Sequence, residues 1–405
     1  MLAVIAWRNI WRNKLRSGIV IAAIALGILG GLFSIAFMEG LADQTLKTAI
    51  SQQVSHIQLH HPLFLENEEL KYRLHNADGI LAQLLHRADV AAAARRYRVR
   101  AMASTANGSS GIEILGIDPE NEKKVTTVYK KLIAGAYFAD NRRNPVLVGA
   151  KLADKLKVRL GQKIVLTAQS EEGTLTGGAF KIIGIFKTDN SLFDENQIFV
   201  DYRDISRLLD LPRNESHEIA VLLKNPQELA LATQSLAAQF PDEKVENWRE
   251  IAPELGMLQG YMQQMMFIFL VIILIALAFG IVNTMLMAVI ERTRELGLLM
   301  ALGMSRKRVF AMIILETVFL SLLGGVIGMA LSAVVIQYSN HRGIDLAIVG
   351  EGMSAMGYAT YIYPRLAIAY FAILTVMVIV TAILSSFFPA HKALKLRPTE
   401  AIRVE

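Results

Sequence analysis

The residues best suited to chemistry are few and scattered. His56, His60 and His61 lie close in sequence, and if Val54–His60 forms a strand, His56 and His60 share one of its faces. With Glu66 or Glu68 as a further ligand they could hold a metal ion; solvated strand and loop histidines are the plainer reading. His217-Glu218 lacks the second histidine of an H-E-x-x-H zinc site. Gly108-Ser109-Ser110-Gly111 is one residue short of a nucleophile elbow and has no strand–turn–helix context. Gly350-x-Gly352-x-x-Ala355 fits a relaxed dinucleotide pattern, but no βαβ unit surrounds it. No G-x-x-x-x-G-K-[ST] occurs, so the chain has no P-loop of its own. With no cysteine it has no thiolate nucleophile, no thiolate zinc site and no disulfide. The expectation is a chain that is not an enzyme and holds neither metal nor cofactor.

One segment, Glu291–Arg308, is more informative. It begins with the charged residues Glu291, Arg292, Arg294 and Glu295, continues into an apolar ridge of Leu296, Leu299, Met300 and Leu302, and offers a helix stop at Gly303. A short amphipathic helix of this kind needs a cover for its ridge. The membrane surface would serve, and so would a groove on a cytosolic protein; the residues leave both open. Glu316, just beyond it, is the single charge in an apolar run. An intramembrane carboxylate is a functional candidate by default, but at this depth it can reach interfacial water or pair with Arg306 or Arg308.

The elements that position these residues follow from composition. The chain has 405 residues, of which 53% are hydrophobic and 19% charged, with a mean hydropathy of +0.38. A soluble domain carries roughly 25% charged residues. Four apolar runs, 17–38, 265–290, 309–338 and 366–388, can each cross a bilayer, which takes about 20 residues. The first exceeds a signal-peptide core and ends at Phe37-Met38-Glu39 with no small-residue cleavage pattern, so it reads as a retained anchor. The net charge of +6 does not indicate nucleic acid. Residues 39–254 hold 27 Lys/Arg against 29 Asp/Glu, and the remainder holds 15 against 7, so the basic excess flanks the spans. Residues 1–16, the 291–308 loop and the tail, with Lys392, Lys395, Arg397 and Arg403, are basic, whereas 339–365 holds only Arg342 and Arg365. By the positive-inside rule both termini and the 291–308 loop are cytoplasmic, and the 39–264 insert lies outside.

Residues 1–16 read as an interfacial elbow helix, with Val4, Trp7, Ile10, Trp11 and Leu15 against Arg8, Asn9, Arg12, Asn13 and Arg16. In the insert, helical stalks lead out of the first span and into the second. Short β-branched runs at 145–148, 163–167, 180–186 and 197–200 predict a β-rich subdomain over about 140–205. Alternation at 54–59, 111–117, 219–223 and 245–248, with helical patterns at 77–85 and 226–239, completes the plan. The fold class is an α-helical membrane protein with four transmembrane helices and a large α+β extracytoplasmic domain, a split α/β core with a β-rich insertion. Gly27-x-x-x-Gly31 and Gly324-x-x-x-Gly328 support close helix packing.

The motifs "NIWRNKLRS" (9–17), "NTMLMAVIERTRELGLLMALGMSRKRV" (283–309) and "FPAHKALKLRPTEAIRVE" (388–405) resemble the FtsX/MacB/LolC superfamily of ABC-transporter permeases. So do "LGIDPENE" (115–122), "VLVGAKLADKLKVRLGQKI" (146–164) and "NWRE" (247–250) in the insert. The resemblance implies a permease that pairs with a second permease, identical or homologous, and with two copies of a separate ATPase subunit, which would bind the ATP and magnesium. It makes Glu291–Leu302 the coupling helix to the ATPase and places the work outside, in the outer leaflet of the inner membrane. Lipoprotein release is the branch it favours. MacB-like export of periplasmic peptides, toxins or drugs, or FtsX-like regulation of an extracytoplasmic partner, are the alternatives. By the same analogy Phe33, Phe37, Met262, Met266 and Phe269 would line a substrate or lipid cavity where the first two spans leave the membrane.

Overall fold

The computed structural model describes residues 2–138, 144–346, 352 and 361–394. The tail cations Lys395, Arg397 and Arg403, and Gly350 and Ala355 of the dinucleotide-like pattern, lie outside them. The chain divides into two compact units. One holds the chain up to Ala42, Gln259–Ile344 and the chain from Ile362; the other holds Asp43–Leu258 and Asp345–Tyr361.

Among the described residues, the first unit is built on four helices apolar and long enough to cross a bilayer. They are Lys14–Ala49, Pro253–Glu291, Arg306–Arg342 and Ile368–Leu394, and are called here the first to fourth long helices. Two shorter helices accompany them. The N-terminal helix Leu2–Arg12 precedes the first long helix after a break at Asn13, and Ser17 Oγ closes that break by donating to the Ile10 carbonyl at 2.6 Å. The loop helix Thr293–Ala301 joins the second and third long helices. Ile24, Ile28, Leu32, Leu277, Ile281, Met312, Leu320, Val378 and Ala382 form one core. Large apolar side chains such as Phe279, Val334 and Ile368 are exposed, as residues facing hydrocarbon would be.

The two glycine pairs do different jobs. A Cβ at Gly324 would stand 2.8 Å from the Ile24 side chain, and one at Gly328 would stand 2.8 Å from the Ala25 carbonyl oxygen. The third long helix therefore touches the first backbone to backbone, and only glycine allows it. Gly27 and Gly31 meet nothing closer than the Leu277 and Ile273 side chains, at 3.9 and 3.5 Å.

Among the described residues, the second unit is built on a ten-stranded sheet with helices packed on it. Its strands are β1 (Ile57–His60), β2 (Val90–Thr105), β3 (Gly108–Ile117), β4 (Leu132–Gly135), β5 (Pro145–Gly149), β6 (Lys163–Gln169), β7 (Leu175–Phe186), β8 (Gln197–Asp201), β9 (Glu218–Leu223) and β10 (Lys244–Asn247). The first half of β2 pairs with β9, which pairs with β1 and through it β10. The second half of β2 enters a ring, β2–β3–β8–β5–β7–β6, that closes when β6 pairs back to β2. Alternate residues fill the two faces of the ring. Ile114, Val146, Val148, Ile198 and Val200 enter one core, and Leu115, Leu147 and Phe199 enter another. Strands buried on both faces read as unbroken apolar runs.

This departs from the expected β-rich insertion over 140–205 in an α/β core. The ring begins near Arg96, recruits half of β2 and all of β3, and shares β2 with the rest of the sheet. Two shorter readings also shift. Val54 belongs to a π-turn, Ile50–Val54, and the strand starts at Ile57; Trp248 opens a helix after β10.

The helical lead-in is fastened to this sheet by buried charge. Arg96, 2% exposed, donates to both Glu122 oxygens at 3.0 and 2.8 Å and to Glu218 at 2.7 Å. It also donates to the Gln53 carbonyl at 3.0 Å, in the π-turn that ends the first long helix. Thr127 N–H donates to the Ser51 carbonyl of the same turn at 2.9 Å.

Overpacking a tight helix crossing costs about 1–3 kcal/mol. Gly328→Val should therefore lower the thermal unfolding midpoint of the detergent-solubilised chain, and Gly27→Ala should leave it unchanged.

Candidate functional site

Three arginines and three glutamates interlock at one end of the membrane unit. Glu316 on the third long helix is 3% exposed. Arg292, at the junction of the second long helix and the loop helix, donates from Nη1 to both Glu316 oxygens at 3.2 and 3.1 Å. Arg16, near the start of the first long helix, lies 3.8 Å from Glu316 and donates to Glu291 at 3.0 Å. Arg292 Nε donates to Glu295 on the loop helix at 3.2 Å. Arg12, closing the N-terminal helix, donates to both oxygens of Glu295. That bond holds the Glu295 carboxyl below its ordinary range, and Arg292 adds to the effect.

The partners of Glu316 are therefore Arg292 and Arg16, and the expected Arg306 and Arg308 are exposed. The reason is axial distance. Arg306 and Arg308 precede Glu316 on the same helix by roughly 12–15 Å, whereas the turn after Glu291 brings Arg292 alongside. Arg16 is also the last charge before the apolar run of the first long helix, so Glu316 stands at that polar boundary. The apolar stretch of the third long helix that remains, 317–338, is still about the length of one crossing.

The loop helix is amphipathic, but not all of its ridge faces one way. Leu296 is 2% exposed, and Leu299 and Met300 pack against the membrane core. The outward face carries Arg294, Leu298 (54% exposed), Ala301 and Leu302 (77% exposed). Of the expected apolar ridge, only Leu302 points away from the protein. Leu298 was missed because it stands between Leu296 and Leu299 in a run apolar on both sides, where spacing alone cannot separate the inner stripe from the outer. Gly303 ends the helix at φ +97°, with Gly303 N–H on the Met300 carbonyl and Met304 N–H on the Leu299 carbonyl. This is the left-handed stop that glycine makes possible.

The five residues expected to line a cavity divide. Phe37, Met266 and Phe269 surround a void of about 150 Å³ together with Ser34, Ile35 and Met38. Phe33 packs against the helix core, and Met262 is buried without lining that void. A larger groove of about 580 Å³ lies between the first and second long helices, walled by Gly27, Gly30, Gly31, Leu277, Gly280 and Thr284 among others. The signal for it was the glycine cluster itself, which reads equally well as a close-packing motif.

The expected solvated histidines are not all solvated, since His56 and His60 are buried in the sheet. His56 Nδ1 accepts from Leu223 N–H at 2.9 Å, and His61 stacks on Tyr72. His60, 1% exposed, sits 3.2 Å from Glu246, and burial lowers its pKa to about 4. Glu68 is engaged by Arg100, and Glu66 is exposed. Among the described residues no three such side chains gather to hold a metal. His217 stacks on Phe64, and burial lowers its pKa to about 4.

Comparison with known families accounts for both parts. Residues 17–239 match the MacB-like periplasmic core domain, a match that spans more than half the chain, and residues 267–398 match the FtsX-like permease C-terminal region. The chain belongs to the FtsX/MacB/LolC superfamily of ABC-transporter permeases. The lipoprotein-releasing system transmembrane protein LolC of Neisseria meningitidis serogroup B is 24% identical to this permease over 100% of both chains. The macrolide export ATP-binding/permease protein MacB of Neisseria gonorrhoeae is 27% identical over 55% of the permease and 33% of its own length. The crystal structure of the periplasmic region of MacB from Actinobacillus actinomycetemcomitans covers 52% of the permease and 97% of its own chain, at 11% identity and a TM-score of 0.37. The permease is thus a membrane protein with a periplasmic domain, in a family that normally works with ATPase subunits.

Removing one partner of a buried ion pair costs about 3–5 kcal/mol, because the other charge is left uncompensated. Arg292→Gln should therefore lower the unfolding midpoint sharply in a thermal-shift assay. Adding Glu316→Gln to it should recover part of the loss, and an additive double variant would show that the pair is not coupled.

Proposed function

We propose that this permease transmits the motion of ATPase subunits, through the loop helix, to its periplasmic domain, and that it extracts lipoproteins from the outer leaflet of the inner membrane. The observation that carries the ATPase part is the division of the loop helix. Its inner face is fixed to the spans by Leu296 and by Glu295, while Arg294, Leu298, Ala301 and Leu302 form an amphipathic strip that is exposed among the described residues. An apolar strip edged by charge, next to a span, suits a groove on a cytosolic partner. The basic flanks support a cytoplasmic position for this loop and both termini.

In this reading two ATPase subunits bind ATP and magnesium, and two permeases, identical or homologous, stand side by side. Lipoprotein as cargo is supported by the likeness to the N. meningitidis LolC over the whole of both chains. An acyl chain is also the kind of ligand that the glycine-walled groove between the first two long helices would accept, since its walls are mostly apolar, with Ser34, Asn283 and Thr284 as the polar exceptions.

The test separates docking from folding. Leu298→Asp and Leu302→Asp, both on the outward face, should abolish co-purification of an ATPase from native membranes while the permease keeps its unfolding midpoint. Leu299→Asp, on the inner face, should lower that midpoint. An ATPase that still co-purifies with the Leu298→Asp/Leu302→Asp chain would overturn the docking face. Lipoproteins trapped on the wild-type complex without ATP and released with it are the expected cargo result.

A further inference from the structure

The N-terminal helix has one face seated on the protein and another that is largely exposed among the described residues. Ala6 and Ile10, both fully buried, seat it against the membrane core. On the same side Asn9 approaches the Met312 sulfur at 3.9 Å. The opposite side exposes Val4 (57%), Trp7 (41%), Trp11 (49%) and, after the break, Leu15 (78%).

The depth of this face is readable from its contacts. Trp7 meets Phe319 edge-on at 5.7 Å, and Phe319 lies one turn beyond Glu316, inside the apolar part of the third long helix. Trp11 meets Trp7 at 6.0 Å, and Arg12, the next residue, is held by Glu295 on the polar side. The helix therefore straddles the polar–apolar boundary marked by Arg16 and Glu316, with its tryptophan pair at the level where indole rings favour the headgroup region. What meets a face at that depth is lipid.

Charge then selects the lipid. Arg12 and Arg16 are committed to Glu295 and Glu291. Arg8 and Lys14 are exposed and make no ion pair among the described residues, and residues 1–16 contain no acidic side chain. Two uncommitted cations beside a tryptophan pair are complementary to phosphate-bearing anionic headgroups.

We propose that the outward face of the N-terminal helix is a binding surface for anionic phospholipid, with Trp7 and Trp11 at the headgroup–acyl boundary and Arg8 and Lys14 neutralising the headgroup phosphates. This needs only that the long helices span a bilayer, and it is independent of ATPase docking. Because Arg12 ties the same helix to Glu295, an occupied lipid surface also steadies the loop helix.

The test uses the full chain in nanodiscs and the quenching of tryptophan fluorescence by lipids brominated near the headgroup end of the acyl chain. The difference between wild type and Trp7→Phe/Trp11→Phe isolates the signal of this helix from that of Trp248. Brominated phosphatidylglycerol titrated into unlabelled phosphatidylcholine should quench at a lower mole fraction than brominated phosphatidylcholine does. The expected enrichment is about fivefold per cation, the factor for one Lys or Arg at an anionic surface. Arg8→Gln/Lys14→Gln should remove the preference and keep the quenching, and these exposed residues can be changed without disturbing the Ala6 and Ile10 packing. No quenching by either lipid would overturn the placement of the helix. Equal quenching by both lipids, or a preference that survives Arg8→Gln/Lys14→Gln, would overturn the headgroup assignment.

Discussion

The membrane unit depends on one buried carboxylate. Glu316 stands almost without solvent exposure inside the apolar run of its helix, and it is tolerable there because Arg292 and Arg16 are brought to it. A charge in that position without partners would cost several kcal/mol. The two arginines come from different helices, so satisfying Glu316 fixes where the second long helix turns into the loop helix and where the first long helix begins. Glu291 and Glu295 extend the network to Arg16 and Arg12 and add the N-terminal helix to it. Apolar contact alone would let these helices slide. Hydrogen bonds between guanidinium and carboxylate groups are directional and allow one register.

The same device recurs at the far end of the first long helix. Arg96 binds Glu122 and Glu218 and spends a further donor on the Gln53 carbonyl, one of the last backbone acceptors of that helical lead-in. A helix end leaves carbonyls without intrahelical partners, and burying one demands a donor. The helix Lys14–Ala49, about 54 Å long at 1.5 Å per residue, is thus held by an arginine network near each terminus. An element gripped at both ends by directional bonds can carry displacement along its length, which is the property the proposed function requires.

What could be read in the sequence, and what could not, follows from the range of the forces involved. The four spans, the glycine stop at Gly303 and most strands were legible, because each is set by local composition: twenty apolar residues, a left-handed backbone position, short β-branched runs. The strand β2 was not. Its sequence, VAAAARRYRVRAMAST, has four consecutive alanines and four arginines, and alanine is a poor strand former. It is held as a strand by pairing on both sides, with β9 and β3, and by the burial of Arg96 against acids distant in sequence. The partners of Glu316 were missed for the same reason, since the cations nearest in sequence are on the wrong level of the helix. The loop ridge was half legible: its amphipathic character showed, but the choice of Leu298 over Leu299 as the outward residue is made by the core.

The two glycine motifs show how far identical spacing can diverge in effect. In the third long helix, Gly324 and Gly328 face Ile24 and Ala25 so closely that the backbones of the first and third helices touch. In the first helix, Gly27 and Gly31 face Leu277 and Ile273, whose branched side chains hold the second helix away and leave the 580 Å³ groove. The second helix is therefore tightly tied to the first at the Arg16–Glu291 end and loosely packed against it along the glycine face. In the proposed function, a push delivered to the loop helix would enter at the tied end. The packing that can yield to it is the groove, because displacing side chains across an existing void costs less than separating a backbone-to-backbone contact.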